Sequence, residues 1–440
     1  MCRVFQLKLA VCASACLLAF CSNFRNEGLD PPPTQLYFPI AVALSPQQCA
    51  SGPCSLYVVN SNFDLRYNAA SVQALDLELV QTALDGCMDP PCDFPEYASV
   101  VRPGGEVFLG SYASDIAVAP AGDRFYVPIR SDANLTYVDV LPDLSLSCGG
   151  MGDRHQCSSD YERGQMASSN PRGVVMPRDP IAVIAGSLQD DLEVPGDGNF
   201  IVTGHGDGQV ALFLEQIEGA SGAPTLVDID DGYPDGLTSL RYDTSTKTIY
   251  GTSRYEPLFA EGGVAIEPTM MDRSFIYSSG TRRYIGLDDG SDTRDVQVDA
   301  AARKAYVVSR LPSALVILDL ARQAQLSQQV AVSAVVGLGF GPSRVEHAFF
   351  PQIGRTLVFV SCFDQPTLYI IDPQLERLTG TVAGFSGPFD LAIDVQRALI
   401  YVADFSSSVI RIVDLSQLMA GGGAHVIATV GEERPVKEIQ

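Results

Sequence analysis

The sequence predicts an all-β fold built from many small antiparallel sheets, and three observations carry that prediction. Glycine and proline are abundant, with 39 and 28 residues, and they supply frequent turns, while no long helical periodicity is present. Apolar residues alternate within short segments, as in a half-buried strand. The clearest unit near the C-terminus reads as four such strands, at 390–394, 399–403, 409–415 and 425–430. A single sheet of this kind has two apolar faces, so it needs neighbours of the same kind.

The same strand pattern recurs along the chain. Each copy has an apolar strand, a turn often holding Gly or Asp, a strand ending in Tyr-Val or a similar pair, a polar turn and a strand often closing on Asp. With the C-terminal unit, seven copies are found, the others being 39–78, 115–141, 179–215, 236–267, 295–320 and 348–372. The period shortens along the chain because the early copies carry insertions such as 145–176. The pattern predicts a single seven-bladed β-propeller of four-stranded antiparallel blades, with a pair of β-sandwiches as the competing fold.

Three of the copies carry a further signature. The segments YVVN at 57–60, YVVS at 306–309 and YVAD at 401–404 resemble the YVTN repeat of lactonase-like seven-bladed propellers, and AVAPAGDRFYV resembles the turn that precedes it. Tryptophan is absent from the whole sequence, which excludes the WD-type repeat. The resemblance covers nearly everything after residue 36. It implies the fold more firmly than a function, because the family includes surface-layer and periplasmic proteins as well as sugar-lactone hydrolases.

The N-terminus has the features of an export signal. Arg3 and Lys8 precede an apolar run of 12 residues, which is short for a membrane span but suits a signal peptide. The segment LAFC at 18–21 resembles a bacterial lipobox, with Phe20 departing from the small residue usual before the cysteine. We therefore expect a signal peptide at 1–20, lipidation at Cys21, a tether at 21–35 and the propeller at 36–440. Cys16 is a rival acylation site, and an ordinary cleaved signal is the alternative.

The remaining cysteines fit an oxidising compartment. Six of them form close sequence pairs that predict three local disulfides, Cys49 with Cys54, Cys87 with Cys92, and Cys148 with Cys157. Their spacing is not that of a zinc site, and the four histidines are scattered. Cys362 ends an apolar strand without a neighbouring histidine, so it is predicted to be a buried apolar residue rather than a nucleophile.

Charge limits the possible partners. The formal net charge is −23, and such a chain repels nucleic acid and anionic lipid surfaces. We expect membrane contact through the lipid anchor only, no nucleic acid and a monomer.

Propeller geometry predicts where a site lies. Aligning the copies on their Tyr-Val pair superposes Ser239 and three acidic residues, Asp115, Asp295 and Asp390, at the start of the inner strand, with Asp179 one position away. The position after the second strand collects Arg130, His205, Arg254 and Arg310, against Ser61, Phe363 and Phe405 in the other copies. One channel mouth is therefore predicted to hold an acidic inner ring and a partly cationic collar, which could bind a carboxylate or a sugar acid. A purely structural role, in which the aspartates accept backbone hydrogen bonds, is the alternative.

No Ser-His-Asp order, HExxH motif or nucleophile elbow is found. We therefore expect a non-catalytic lipoprotein of the cell envelope, without cofactor or metal, that binds a protein partner or a polar envelope ligand at the mouth. The resemblance implies an alternative, a sugar-lactone hydrolase with Asp115, Asp295 or Asp390 as base and Arg130 or Arg310 holding the substrate. A structural part of a surface assembly is a third possibility.

Overall fold

A computed structural model of the chain describes residues 29–434, except 151–155, 166–172, 189–197, 217–221, 232, 234, 246–247, 255–257, 269–274, 280–282, 287–290 and 324–330. The predicted signal peptide, Cys16, Cys21 and most of the predicted tether lie outside these residues. None of the helices in the described ranges is both long and apolar enough to cross a membrane.

The architecture is a β-propeller of antiparallel sheets, each with its first strand innermost. We number the sheets 1 to 7 in chain order. Sheet 1 contains Pro39–Leu44, Ser55–Asn60, Ala70–Asp76 and Val101–Leu109. Sheet 2 contains Ala117–Val118, Arg124–Ile129, Asn134–Val140, Leu146–Ser147 and Glu162–Arg163. Sheet 3 contains Pro180–Ser187, Gly198–His205, Val210–Gln216 and Thr225–Asp230. Sheet 4 contains Leu237–Asp243, Thr248–Ser253, Leu258–Pro268, Phe275–Ser279 and Arg283–Gly286.

The last three sheets follow the same strand order. Sheet 5 contains Ser291–Asp299, Lys304–Leu311, Ser313–Asp319 and Val332–Gly337. Sheet 6 contains Pro342–Phe350, Arg355–Cys362, Thr367–Asp372 and Arg377–Val382. Sheet 7 contains Pro388–Asp394, Leu399–Asp404, Val409–Asp414 and His425–Val430. Short helices lie in the connections, at Leu77–Asp85, Leu320–Gln323 and Ser416–Met419, with 3-10 turns at Tyr97–Ser99, Ser159–Tyr161 and Phe405–Ser407.

Sheet 2 departs from the pattern. Six sheets have an inner strand of six residues or more, whereas the inner strand of sheet 2 pairs over only two residues, Ala117–Val118. Pro128 in the next strand explains part of this: its carbonyl accepts the N–H of Ser114, but proline has no N–H to return, so the ladder breaks there. The prediction of seven equivalent blades is therefore confirmed only as a propeller with six regular blades and one irregular sheet.

The core lies between the sheets rather than within them. Apolar clusters join neighbouring sheets around the axis, and one cluster places Leu56 and Val58 of sheet 1 against Tyr401 and Ile410 of sheet 7. Residues from sheets 1 and 2, 2 and 3, 3 and 4, 4 and 5, 5 and 6, and 6 and 7 form the others. Burying each large apolar side chain contributes about 1.5–3 kcal/mol relative to exposure, so each sheet depends on its neighbours.

An insertion in sheet 1 strengthens the contact with sheet 7. Asp76 caps the helix Leu77–Asp85 by accepting the N–H groups of Glu78 and Leu79. Beyond the helix, the short strand Cys92–Phe94 pairs in parallel with His425–Val430 and so adds a fifth, outermost strand to sheet 7. The N-terminal and C-terminal sheets are thereby joined.

The cysteine predictions are confirmed. Disulfides join Cys49 to Cys54, Cys87 to Cys92 and Cys148 to Cys157, as predicted. The first two bonds each join residues 5 positions apart, and the third joins residues 9 positions apart. Cys362 is a free cysteine and is fully buried at the end of its strand.

Candidate functional site

A cavity of about 350 Å³ opens at one mouth of the central channel. Its floor is made by one residue at the start of each inner strand or shortly before it, namely Ile40, Ser114, Ile181, Thr238, Arg294, Ser343 and Phe389. Its collar is made by a residue at the end of each second strand or directly after it, namely Ser61, Arg130, Gly206, Arg254, Arg310, Phe363 and Phe405. Most of the predicted collar is thus brought together.

Among the described residues, five arginines and one carboxylate line this cavity, the arginines being Arg130, Arg254, Arg294, Arg310 and Arg344. The carboxylate, Asp179, is held by Arg130, whose Nε lies 2.6 Å from Asp179 Oδ1. Both side chains are about two-fifths exposed. The charged side chains of the cavity wall are therefore predominantly cationic.

Arg294 and Arg310 stand close together in sheet 5. Arg294 is paired with Asp292 through Nε at 2.6 Å and Nη2 at 2.9 Å. Burial and the nearby charges of Arg310 and Arg254 lower the pKa of Arg294, although Asp292 opposes the effect. Arg310 has a looser contact, 3.4 Å from Nη2 to Oδ2 of the exposed Asp364. Its Nε is buried and, among the described residues, has no hydrogen-bond partner.

A repeated backbone turn sets the rim. Six residues that lie three positions before the inner-ring position have left-handed φ angles, namely Phe38, Tyr112, Asp179, Gly236, Asp292 and Gly341, with φ between 54° and 76°. Glycine and aspartate tolerate this conformation, whereas an aromatic residue rarely adopts it. The turn directs Tyr112 and Asp179 into the cavity wall and places Asp292 beside Arg294.

The three ring aspartates do not line this cavity. Each instead accepts the backbone N–H of the next inner strand around the axis: Val183 N–H donates to Asp115 at 3.1 Å, Val345 N–H to Asp295 at 2.9 Å and Val42 N–H to Asp390 at 2.8 Å. All three carboxylates are buried. The predicted mouth with an acidic ring and a cationic collar is therefore corrected, because the carboxylates are turned toward neighbouring sheets along the channel wall.

Two arginines neutralise this ring from within the channel. Arg344 and Arg241 lie 3.8 Å and 3.7 Å from Asp295 Oδ1, and Ser239 donates its hydroxyl to the same carboxylate. Burial raises the pKa of Asp115, and it raises that of Asp390 to about 6 even though Arg344 opposes the shift.

A second cavity of about 480 Å³ lies beyond this ring. It is lined by Asp115, Asp390, Arg241, Arg344, Glu346 and His347. Burial raises the pKa of Glu346 to about 8, despite Arg241 at 3.5 Å. Arg344 lines both cavities and separates the cationic mouth from this mixed-charge chamber.

Two predicted site residues lie one or more positions out of register. His205 pairs with Pro180 inside the second strand of sheet 3, so Gly206 takes its collar position. His205 is buried, with ring contacts to Thr203 Oγ1 and the Arg178 carbonyl, and desolvation lowers its pKa to about 4. Asp179 precedes the ring position of sheet 3, occupied by Ala182, by three residues rather than one.

The sequence pattern does not predict Arg344 and Arg294, nor Arg241, Glu346 and His347 of the chamber. The sixth copy was predicted to begin at 348, whereas its inner strand is Pro342–Phe350. Arg344 and Asp390 hold equivalent register positions, paired with Ser361 and Ala403 respectively. The sequence signal is the similarity of PSRVE at 342–346 to PFDLA at 388–392, which places Arg344 at the position of Asp390. An alignment that included residues before 348 in the sixth copy would detect it.

Comparisons with known proteins support the fold alone. No protein-family model matches the chain, and no curated protein matches it. Among solved structures, hydrazine synthase from Kuenenia stuttgartiensis matches with a TM-score of 0.56 and 13% identity, over 88% of this chain and 98% of that one. The β-propeller domain of Cps50 (Swd1) from Myceliophteria thermophila matches with a TM-score of 0.50 and 12% identity, over 86% and 96%. The chain is therefore a β-propeller protein, and at these identities its function must be argued from its own side chains.

Proposed function

We propose that this protein is a non-catalytic binding protein of the cell envelope and that its channel mouth binds an anionic ligand. The observation that carries the proposal is the cluster of five arginines on the wall of the 350 Å³ cavity. That volume is in the range of small-ligand sites, and guanidinium groups bind carboxylate or phosphate oxygens through paired N–H donors.

The overall negative charge does not prevent this binding. At physiological ionic strength the field of distant charges is screened beyond about 8 Å, so the arginines at contact distance dominate the local potential. The net charge of −23 instead disfavours extended polyanions, which contact more of the chain than the mouth alone. A compact anion, either free or presented by a protein partner, fits these conditions.

Further parts of the proposal concern the family and the location. We propose that sheet 2 completes a ring of seven blades and that the chain belongs with the YVTN-repeat, lactonase-like propellers. Tyr57, Tyr306 and Tyr401 support this because each is buried near the middle of a second strand at the same register. The three disulfides support export, since such bonds persist in oxidising compartments. Anchoring through Cys21 is tested by metabolic palmitate labelling, which Cys21→Ser should abolish.

Calorimetric titration tests the binding role. Acetate, glucuronate and 2-naphthoate serve as probes, with Arg294→Gln/Arg310→Gln as the disabled variant. Losing charge-assisted hydrogen bonds of about 1.5–3 kcal/mol each should weaken one-site binding at least tenfold. The control Arg322→Gln/Arg377→Gln removes the same charge from two exposed arginines on the outer side of the propeller.

Absence of saturable binding by all three probes, or equal weakening in both double variants, contradicts the proposal. Turnover of a lactone panel that is lost in Asp390→Asn would instead favour the hydrolase implied by the family resemblance.

A further inference from the structure

The side of the mouth opposite the arginines is aromatic. Phe405 is the centre of this wall, with ring centroids 5.6 Å from Phe63, 6.0 Å from Phe363 and 6.2 Å from Phe389. Tyr112 extends it, 6.2 Å from Phe63. All five side chains line the cavity. Such centroid distances and tilted or edge-on geometries are those of favourable aromatic pairs.

The arginine and aromatic residues occupy separate arcs of the mouth. The aromatic wall comes from sheets 6, 7 and 1 and the turn into sheet 2, around the contact between the two ends of the chain. The arginines come from sheets 2, 4, 5 and 6. At one junction of the arcs the Arg344 guanidinium lies over the Phe389 ring, 5.6 Å from its centroid. At the other, the Arg130 N–H donates to the Tyr112 carbonyl at 3.2 Å. The cavity is thus divided into a cationic half and an apolar half.

The aromatic wall is only partly covered by the protein. Phe63 is 55% exposed, and the rings of Phe363, Phe389 and Phe405 are half-buried. Exposed apolar surface is unfavourable in water, so a contiguous patch of it inside a concave site indicates a surface that a ligand contacts.

We propose, on the basis of the anion-binding role above, that the ligand is a compact amphipathic acid. Its acidic group lies against Arg294 and Arg310, and an aromatic or alicyclic body packs on the wall centred on Phe405. A simple inorganic anion or a small hydrophilic acid would leave the aromatic half wet. A neutral aromatic molecule would gain no charge-assisted contact with Arg294 and Arg310. The two arcs therefore select ligands that carry both features.

Three probes with matched parts test this selection by calorimetry. 2-Naphthoate has both the anion and the rings, acetate has the anion alone, and 2-naphthamide has the rings with a neutral group. We expect 2-naphthoate to bind at least tenfold more tightly than either of the others. Arg294→Gln/Arg310→Gln should remove its advantage over 2-naphthamide.

Phe63→Ala tests the apolar half without disturbing the fold, because most of that side chain is in solvent. It should weaken 2-naphthoate by roughly two- to tenfold, the range of an aromatic pair, and leave acetate unchanged. Phe349→Ala is the matched control, since Phe349 is 57% exposed and lies outside the cavity wall.

The outcomes separate the two proposals. Acetate binding as tightly as 2-naphthoate, with both lost in the arginine variant, keeps the anion site and overturns the amphipathic ligand. Equal binding of 2-naphthoate and 2-naphthamide, insensitive to the arginines, overturns both. Equal effects of Phe63→Ala and Phe349→Ala also overturn the role of the aromatic wall.

Discussion

The carboxylate of Asp390 joins the last sheet to the first, and its burial makes the stability of that junction depend on pH. Asp390 Oδ2 accepts the Val42 N–H at 2.8 Å, and desolvation raises its pKa from 3.8 to about 6. The folded state therefore holds the proton more tightly than the unfolded state. Its contribution to stability is fully present below the unfolded pKa, declines as pH rises through about 6, and is constant above about pH 7.

The size of the effect follows from the pKa. At pH 5, about one unit below the folded value, the bound proton contributes about 1.4 kcal/mol relative to pH 7. Asp390→Asn keeps an oxygen that can accept the Val42 N–H and removes the titration. We therefore expect the wild type to lose about 1.4 kcal/mol more than Asp390→Asn between pH 5 and pH 7. The carboxyl of Glu346 also titrates over this range, and the charge of Asp390 contributes to its raised pKa, so both proteins are compared in a Glu346→Gln background.

Urea unfolding at the two pH values measures this difference, provided that the slope with denaturant is unchanged. Asp390→Ala is the companion variant. It removes the acceptor and should cost about 1–3 kcal/mol at both pH values, because a buried N–H loses its partner. If Asp390→Asn shows the same pH dependence as the wild type, the carboxylate does not titrate as argued and the reasoning fails.

Three further predictions concern the scaffold. Arg397→Ala should lower the unfolding free energy by about 3–5 kcal/mol, because it leaves the buried Asp394 carboxylate without its ion pair at 2.6 Å; a loss under 1 kcal/mol in urea unfolding would contradict this. Cys87→Ala/Cys92→Ala should cost about 2 kcal/mol from loop entropy, as measured by the same assay, and an unchanged midpoint would show that the bridge contributes nothing. Burial raises the pKa of Cys362 to about 12, so the native protein at pH 8 should resist iodoacetamide and react only after unfolding. Rapid alkylation of the native protein, detected by mass spectrometry, would show that Cys362 is not buried as described.

Much of the fold could be predicted from local sequence patterns. Strand alternation, the Tyr-Val positions and the disulfide pairs are set by neighbouring residues, and the structure confirms them. The short inner strand of sheet 2 could not be predicted in the same way. Pro128 interrupts the ladder only because the side of its strand that lacks an N–H faces the inner strand, and the local sequence does not show which side that is. The parallel pairing of Cys92–Phe94 with His425–Val430 joins segments more than 300 residues apart, which no local pattern reports.

The candidate site was predicted in part, for a geometric reason. The collar position was found because Arg130, Arg254 and Arg310 each lie four residues after the tyrosine of a second strand. The depth of the ring residues along the channel was not predictable from that alignment. Asp115 is the clearest example, because its carboxylate accepts the Val183 N–H of the next sheet and does not line the mouth.

A crystal structure of the protein with 2-naphthoate tests the central claim most directly. The account predicts the carboxylate within about 2.7–3.2 Å of guanidinium nitrogens of Arg294 or Arg310, with the rings packed on Phe405. Clear density for the probe only outside this cavity, or an unchanged cavity at a concentration that saturates binding in solution, would contradict it.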